Sequence, residues 1–209
     1  MINKSQPGKK ENARSLLLKV ALNVIRQKGY NATSVDELCS QAGVTKGAFF
    51  HHFKDKESLA VAAAEYWSET TGNLFATAAY HNHKDPLDRI IAYIDFRAEL
   101  IQGPVEGFTC LAGTMVQETY GSSHAIRLAC ERCIFDHTRT LVPFIEAAFE
   151  QYGKPEGLTA ESLANYTQAA LQGGFILAKA QASSEPARES IAHLKKYIQM
   201  LFNQPKLNC

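Results

Sequence analysis

Apolar residues near the start of the chain recur at the spacing of one face of a helix. Ala13, Leu17 and Val24 are separated by four and then seven positions, so they lie on one side of an amphipathic helix. Gly29 follows this stripe and favours termination, because glycine readily adopts the left-handed conformation in which many helices end. The pattern predicts a first helix over about 13–28.

Two shorter helical segments follow the first. Apolar residues at helical spacing over 35–42 predict a second helix, which the hydroxyl of Ser34 can cap and Gly43 can end. Thr45 is a candidate N-cap for a third helix that reaches about His52. The sequence therefore predicts two short helices joined by a tight turn.

The helical pattern continues to the end of the chain. Neither strand alternation of useful length nor a repeat of 20–50 residues is present, so we expect an all-α fold of about nine helices. Pro143 lies inside one predicted long helix, where we expect a kink. The six further helices are expected to span about 55–80, 86–101, 109–119, 123–152, 159–182 and 185–202.

Charge is distributed unevenly along the chain. Residues 1–60 contain ten Lys and Arg against five Asp and Glu, whereas the remainder contains twelve against sixteen. A basic first part on a mildly acidic body favours contact with a polyanion, although an ordinary solvated surface is the alternative. We expect 1–10 to form a disordered basic tail, and we expect a cytoplasmic protein, because neither a signal peptide nor a membrane-spanning apolar run is present.

The segment 33–59 carries the most informative pattern, TSVDELCSQAGVTKGAFFHHFKDKESL. Two short helices joined at Gly43 are typical of a helix-turn-helix, in which the second helix enters the major groove of DNA. Gly47 lacks a side chain, so the second helix can approach the sugar-phosphate closely. Phe49 and Phe53 are one helical turn apart, and we expect them to pack inward.

The same segment resembles the N-terminal domain of the TetR-type family of bacterial repressors. That resemblance implies a three-helix helix-turn-helix domain over about 1–55 and a larger helical ligand-binding and dimerisation domain over about 56–209. It also implies a homodimeric repressor that a small molecule releases from its operator. The matching residues are Thr33, Leu38, Ala42-Gly43-Val44-Thr45, Gly47, Phe49-Phe50, His52-Phe53 and Lys56-Glu57-Ser58-Leu59.

The resemblance also indicates which residues contact double-stranded DNA. The family usually has tyrosine where this chain has Phe50, so no hydroxyl is present and only apolar contact, for example with a thymine methyl, is expected there. We expect His52 to be packed rather than to read bases. The candidate DNA-binding residues are Thr33, Thr45, Lys46, Gly47, Phe50, His51 and Lys56.

A dimer is expected because helix-turn-helix proteins usually place two recognition helices about 34–36 Å apart on an operator with two half-sites. In the resembled family the last two helices pair with their copies as a four-helix bundle, so we expect a homodimer through about 160–203. The alternative is that these stripes form the core of one chain. The residues concerned are Ala169, Ala170, Gly173, Gly174 and Ala178, followed by Ile191, Leu194, Ile198, Leu201 and Phe202.

The middle helices, about 86–152, would enclose a pocket for an unknown small-molecule effector, as the resemblance implies. Ligand sites between helices are mostly apolar with few polar groups, although ordinary core packing is the alternative for each candidate. The candidate ligand-binding residues are Trp67, Phe96, Phe108, Cys110, Met115, Phe135 and Phe175.

Other chemistry is less well supported by the sequence. Cys130 and Cys133 form a CxxC pattern in the middle of a predicted helix, which favours core packing, and a thiol-based redox or electrophile sensor using them or Cys110 is the alternative. The pair His81 and His83 has no third metal ligand nearby, so we expect a polar turn and no metal. We expect neither a cofactor nor enzymatic activity, because no catalytic motif is present.

Overall fold

The computed structural model describes residues 12–202, which form eleven α-helices and no β-strand. The all-α class is confirmed, and a short 3-10 turn, Ala79–Asn82, separates two of the helices. The tail expected over 1–10 lies outside the described residues. The helices are α1 Ala13–Lys28, α2 Val35–Ala42, α3 Lys46–His52, α4 Lys56–Ala76, α5 Pro86–Glu99, α6 Val105–Phe108, α7 Leu111–Thr119, α8 His124–Arg139, α9 Val142–Tyr152, α10 Ala160–Gln181 and α11 Glu185–Phe202.

The helix expected over 123–152 is two helices rather than one kinked helix. Its interruption follows from Pro143, whose ring would clash with the carbonyl of Arg139 if the helix continued. Accordingly α8 ends at Arg139, and Pro143 occupies the first turn of α9, where no amide hydrogen is needed. This break and the four-residue helix α6 account for eleven helices where about nine were expected.

The end of α4 also differs from the sequence-based expectation. The helix ends at Ala76 rather than near Tyr80, and the chain turns back so that the buried Tyr80 ring lies against the helix. The Tyr80 hydroxyl donates to the carbonyl oxygen of Phe75 at 2.9 Å. The packing and hydrogen bond of the Tyr80 side chain therefore take the place of a last helical turn.

Two apolar clusters hold the chain together. The first joins α1, α2, α3 and the start of α4, and it includes Met115 of α7 and Ile126 of α8. The second joins α5, α9, α10 and α11, together with Phe75 at the far end of α4. Helix α4 therefore runs from one cluster to the other, whereas the division of the chain near residue 55 stays a prediction.

The small residues of α10 allow close packing within one chain. A Cβ added to Gly174 would lie 2.9 Å from the Ser190 Cβ and 3.2 Å from the Ala187 Cα, so α10 and α11 approach each other closely at this glycine. The expectation that the main apolar stripe of α11 faces a second copy is wrong, because this stripe packs into the second cluster. Its buried residues are Ile191, Leu194, Ile198 and Phe202.

A different face of these two helices is exposed. Tyr166 on α10 and Tyr197 on α11 pack edge to face, with ring centroids 5.1 Å apart. Around them, the exposed apolar side chains follow helical spacing along both helices. We call this surface the outer α10–α11 face; its exposed large apolar residues are Tyr166, Ile176, Leu177, Tyr197 and Met200.

Candidate nucleic-acid interface and ligand cavity

The turn between α2 and α3 depends on one glycine. Gly43 has φ 64° and ψ 33°, the left-handed conformation, in which a side chain would be strained. Its amide donates to the last turn of α2, and the Val44 amide donates to the Cys39 carbonyl oxygen at 3.0 Å. The Thr45 hydroxyl then accepts from the Ala48 amide at 3.1 Å. These local bonds fix the angle at which α3 leaves the turn.

The two faces of α3 differ in burial. Phe49 is completely buried and Phe53 nearly so, both in the first cluster, which confirms that they pack inward. Phe50 is 56% exposed although it is a large apolar residue. His51 and His52 are exposed beside it, so the expectation that His52 is packed is wrong. One side of α3 therefore presents an aromatic and imidazole surface to solvent.

The ammonium group of Lys46, at the start of α3, forms a weak ion pair. Lys46 Nζ lies 2.7 Å from Asp36 Oδ1, and both side chains are more than half exposed. The hydrogen bond to Asp36 raises the pKa of Lys46, so its charge persists at neutral pH. Exposed ion pairs contribute little stability, and the ammonium can exchange this carboxylate for a phosphate.

Gly47 is not required by the fold of the chain itself. A Cβ added there would meet only the Thr45 Oγ1 atom, at 3.7 Å, which is ordinary contact. A glycine inside a helix destabilises it by about 1 kcal/mol relative to alanine. Contacts within the described residues therefore give no reason for a glycine at this position.

Two candidate DNA contacts point into the protein instead. Thr33 is only 2% exposed, and its hydroxyl donates to the Gly29 carbonyl oxygen at 2.7 Å. Lys56 Nζ donates to the carbonyl oxygens of Tyr30 and Thr33 at 3.0 and 2.9 Å. Burial lowers the pKa of Lys56. The expectation that both side chains face outward is wrong, because they brace the α1–α2 loop against α4.

Three adjoining cavities lie between α4, α5, α6, α8 and α10. The inner cavity, of about 60 Å³, shares Trp67 and Thr71 with a side cavity of about 150 Å³ towards α5. An outer cavity of about 270 Å³ opens between α4 and α8. Of the seven candidate ligand-binding residues, four line the inner cavity: Trp67, Phe108, Cys110 and Phe175.

The other three candidates lie elsewhere. Met115 is fully buried in the first cluster, on the side of α7 that faces α1 and α8. Phe135 is 43% exposed on the outer side of α8. Phe96 packs edge-on against Phe75, with centroids 5.5 Å apart, and lines a separate surface groove. Their assignment to the cavity wall is wrong because residue type does not indicate which side of a helix faces the cavity.

Sequence reasoning missed the polar residues of the cavity. Arg97 lies over the rings of Phe75 and Phe175, with its guanidinium carbon 5.1 and 5.9 Å from their centroids. His137 Nε2 lies 2.9 Å from the Tyr93 hydroxyl and 3.5 Å from Arg97 Nη1. Burial, assisted by the charge of Arg97, lowers the pKa of His137 to about 3, so its imidazole is neutral. A sequence signal existed, because Arg97 interrupts the apolar stripe of α5.

The cysteines differ in accessibility. Cys130 and Cys133 are buried in α8, and burial raises the pKa of each thiol to about 12, which opposes thiolate chemistry. Cys110 is partly exposed at the N-cap of α7, where its sulfur accepts from the Gly113 amide at 3.4 Å. Cys209 lies outside the described residues.

The histidines after α4 and the apolar content of the helices bear on metal and membrane binding. His81 Nε2 lies 3.0 Å from the Phe75 carbonyl oxygen, so its ring is hydrogen-bonded to the protein. Within residues 12–202, no three His, Cys, Asp or Glu side chains are grouped as metal ligands. None of the helices in this same part of the chain has the length and apolar character needed to cross a bilayer.

An N-terminal helix-turn-helix joined to a helical body with an internal cavity defines a class: DNA-binding transcriptional regulators. The family model of the bacterial TetR regulatory proteins matches residues 17–63. The model for the C-terminal domain of LmrA/YxaF-like transcriptional regulators matches residues 86–193, more than half of the chain. The chain belongs to the TetR family.

Individual relatives agree with this assignment. The repressor NemR of Escherichia coli K12 is 28% identical over 204 residues, covering 90% of this chain and 94% of NemR. The regulator YerO of Bacillus subtilis is 41% identical, but over 51 residues, 18% of its own length. The crystal structure of reduced E. coli NemR superposes with a TM-score of 0.76 over 94% of this chain and all of that chain, at 23% identity. That likeness shows a shared fold.

Proposed function

We propose that this chain is a homodimeric repressor that binds an operator with two half-sites through α3 and is released when a small molecule enters the cavity. It acts by binding rather than by catalysis, in the cytoplasm where its operator lies. The observation that carries the proposal is the exposed aromatic, imidazole and basic surface of α3, next to a turn whose angle is fixed by Gly43 and Thr45.

The proposed DNA contacts lie on the N-terminal half of α3 and its exposed side. Lys46 exchanges its exposed partner Asp36 for a phosphate. The backbone comes close to the sugar-phosphate at Gly47, while Phe50 contacts a thymine methyl. Thr45 and His51 supply further hydrogen-bonding groups. Thr33 and Lys56 act through the loop that they brace rather than as primary contacts.

A second copy is proposed to pair through the outer α10–α11 face, within about 160–203. Large apolar side chains that are exposed together on two adjacent helices mark an interface rather than a solvated surface. The close packing of α10 on α11 at Gly174 makes this face a rigid pair of helices. Two such pairs form a four-helix bundle with two-fold symmetry.

We propose that ligand binding in the cavity changes the position of α1 through its contact with α6, and that this change releases the protein from DNA. Arg26 of α1 donates to the Gly107 carbonyl oxygen at 3.0 Å, and its guanidinium carbon lies 4.9 Å from the centroid of the Trp67 ring. Both partners belong to cavity walls. An effector that moves α4 or α6 therefore shifts the helix-turn-helix, and a coupling of about 1–3 kcal/mol weakens DNA binding by roughly 5–150-fold.

Fluorescence anisotropy with DNA from upstream of the protein's own gene tests the proposal. Wild-type protein is expected to prefer this DNA over a scrambled duplex, with affinity that falls steeply with salt. The Lys46→Ala variant should lose about two units of the salt slope, one for each subunit of the dimer, whereas Lys84→Ala, exposed just before α5, should not. Sequence-independent association that is insensitive to salt would contradict the proposal.

Thiol sensing is a second candidate function, favoured by the position of Cys110. This thiol lines the inner cavity and is the N-cap of α7, so a small molecule in the cavity can reach it. If it is the sensor, an electrophile such as iodoacetamide should weaken DNA binding by the wild type and leave the Cys110→Ser protein unaffected. Equal responses of the two proteins would exclude Cys110 from sensing.

A further inference from the structure

The inner and side cavities share one cationic residue, Arg97, which no carboxylate neutralises. Within residues 12–202, no acidic group lies at ion-pair distance from it. Asp95, on the same helix, is held by Lys195 at 2.7 and 2.8 Å. Asp136, which lines the outer cavity, pairs with Arg139 on its own helix. A half-buried guanidinium has lost part of its hydration, and no counter-charge compensates for that loss here. A bound anion would compensate for it through charge-assisted hydrogen bonds.

The other groups close to Arg97 do not supply that negative charge. His137 is neutral, and its Nε2 atom is hydrogen-bonded with the Tyr93 hydroxyl at 2.9 Å. The rings of Phe75 and Phe175 offer cation–π contacts at 5.1 and 5.9 Å, which orient the guanidinium but leave its charge uncompensated. The planar group is therefore pre-positioned at the junction of the two cavities.

A second polar group in the inner cavity also lacks a partner. Gln168 of α10 is only 8% exposed and lines the inner cavity, and its amide has no hydrogen bond to any described residue. The Gln168 amide is accessible from the cavity, since the fully buried side-chain polar atoms without a partner within residues 12–202 are Thr109 Oγ1 and Gln172 Nε2. A ligand with a polar end can therefore form hydrogen bonds with the Gln168 amide and the Arg97 guanidinium together.

The walls around these two groups are aromatic. Phe108 and Phe175 lie close together with centroids 6.1 Å apart, and Trp67 and Phe75 also line both cavities. Leu100 and Ile101 make the far end of the side cavity apolar. A planar ring or a conjugated chain fits between such walls, whereas a strongly hydrated ion such as phosphate would leave most of its surface against carbon.

We propose that the effector is a small planar carboxylic acid whose carboxylate binds Arg97 and Gln168 and whose apolar body lies in the side cavity. Arginine suits this role because its planar guanidinium matches a carboxylate through two parallel hydrogen bonds. The inference rests on the proposed ligand-responsive function, since it names the chemistry of the ligand.

Calorimetric titration of the full chain with benzoate and with benzamide, at pH 7 and without DNA, tests the inference. The two probes have nearly the same shape and differ in charge. We expect benzoate to bind at least tenfold more tightly than benzamide. We also expect benzoate to change the fluorescence of Trp67, the one tryptophan of the chain. The Arg97→Gln variant should lose this tenfold preference, and Arg97→Lys should recover part of it.

A second variant keeps the test decisive if Arg97→Gln fails to fold. Gln168→Leu, which has a similar volume, should weaken the binding of both probes several-fold and keep the preference for benzoate, because that preference comes from the charge of Arg97. Unchanged benzoate affinity in this variant would overturn the role of Gln168. Equal affinity for the two probes, no binding of benzoate, or full benzoate affinity in the folded Arg97→Gln protein would each overturn the inference. DNA binding is measured separately, in the absence of benzoate. A wild-type protein that does not bind DNA would contradict the proposed function. A protein that binds DNA but fails the titration would contradict only the proposed class of ligand.

Discussion

Arg26 on α1 donates from Nη1 to the carbonyl oxygen of Gly107 on α6, at 3.0 Å. The same guanidinium also donates to the Leu22 carbonyl oxygen and the Asn23 side chain, each at 3.0 Å, and lies over the Trp67 ring. One buried cation therefore joins the helix-turn-helix unit to two walls of the cavity. No bond within α1 alone could have this effect.

Removing that cation should destabilise the chain. Arg26→Gln removes the hydrogen bond to the Gly107 carbonyl oxygen and the contact of the guanidinium with the Trp67 ring, so we expect the free energy of unfolding to fall by about 1–2 kcal/mol, as measured by urea denaturation. Arg127→Gln is the matched control, because Arg127 makes an exposed pair with Glu131 one turn away and should change the stability by no more than about 0.5 kcal/mol. Equal effects of the two substitutions would show that the Gly107 contact is not a structural link.

Gly47→Ala should separate stability from DNA binding. The added methyl has space within the chain, so the helix is expected to gain about 0.5–1 kcal/mol. DNA affinity is expected to fall, because the methyl would stand between α3 and the phosphate backbone. Thermal melts and anisotropy titrations measure the two effects.

Gly72→Ala is the control for that substitution. Gly72 lies in α4, and a Cβ there would meet nothing within 4 Å. The variant should gain similar stability and keep the DNA affinity of the wild type. If Gly47→Ala binds DNA as well as Gly72→Ala does, close approach at Gly47 is excluded.

The neutral imidazole of His137 predicts a specific loss of stability in acid. Its folded pKa of about 3 lies below the value of about 6.5 for an unfolded chain. Between these values the unfolded state binds a proton that the folded state does not bind. Stability contributed by the neutral form is therefore present above pH 6.5 and decreases as the pH falls, by up to about 1.4 kcal/mol per pH unit.

Urea denaturation between pH 7.5 and pH 4.5 measures this slope. The His137→Gln protein should show a shallower fall in stability than the wild type, because glutamine has no proton to bind. His83→Gln, exposed between the 3-10 turn and α5, should keep the wild-type slope. Identical slopes for the wild type and His137→Gln would contradict a buried neutral imidazole.

The outer α10–α11 face should control the oligomeric state. Leu177→Glu places a charge in the middle of this face, so we expect a monomer in sedimentation analysis and a large loss of operator affinity. Tyr120→Glu is the control, because Tyr120 is 72% exposed at the end of α7, away from this face. A Leu177→Glu protein that remains dimeric would place the interface elsewhere.

Features set by neighbours in sequence could be predicted from the sequence. Gly43 and Thr45 act through bonds to residues three or four positions away, so the turn and the start of α3 follow from local chemistry. The break before Pro143 is local too. A kink was expected there, but the clash between the proline ring and the Arg139 carbonyl ends the helix instead.

Features set by distant partners could not be predicted in the same way. Lys56 resembles a surface lysine until the α1–α2 loop folds against it, 23 and 26 residues away in sequence. Arg97 and His137 are 40 residues apart and meet only because α5 and α8 pack around the cavity. Periodicity identifies the apolar face of each helix but not the neighbour that this face contacts. It therefore favours Phe135 as a cavity residue of α8, whereas His137 is the residue that lines the cavity.

Hydroxyl-radical footprinting on DNA from upstream of the gene tests the central claim most directly. A dimer that reads DNA through two copies of α3 should protect two patches, with centres about 10–10.5 base pairs or a multiple of this distance apart. Lys46→Ala should weaken both patches together, and Lys84→Ala should weaken neither. One unpaired patch, or uniform protection without sequence preference, would contradict the account.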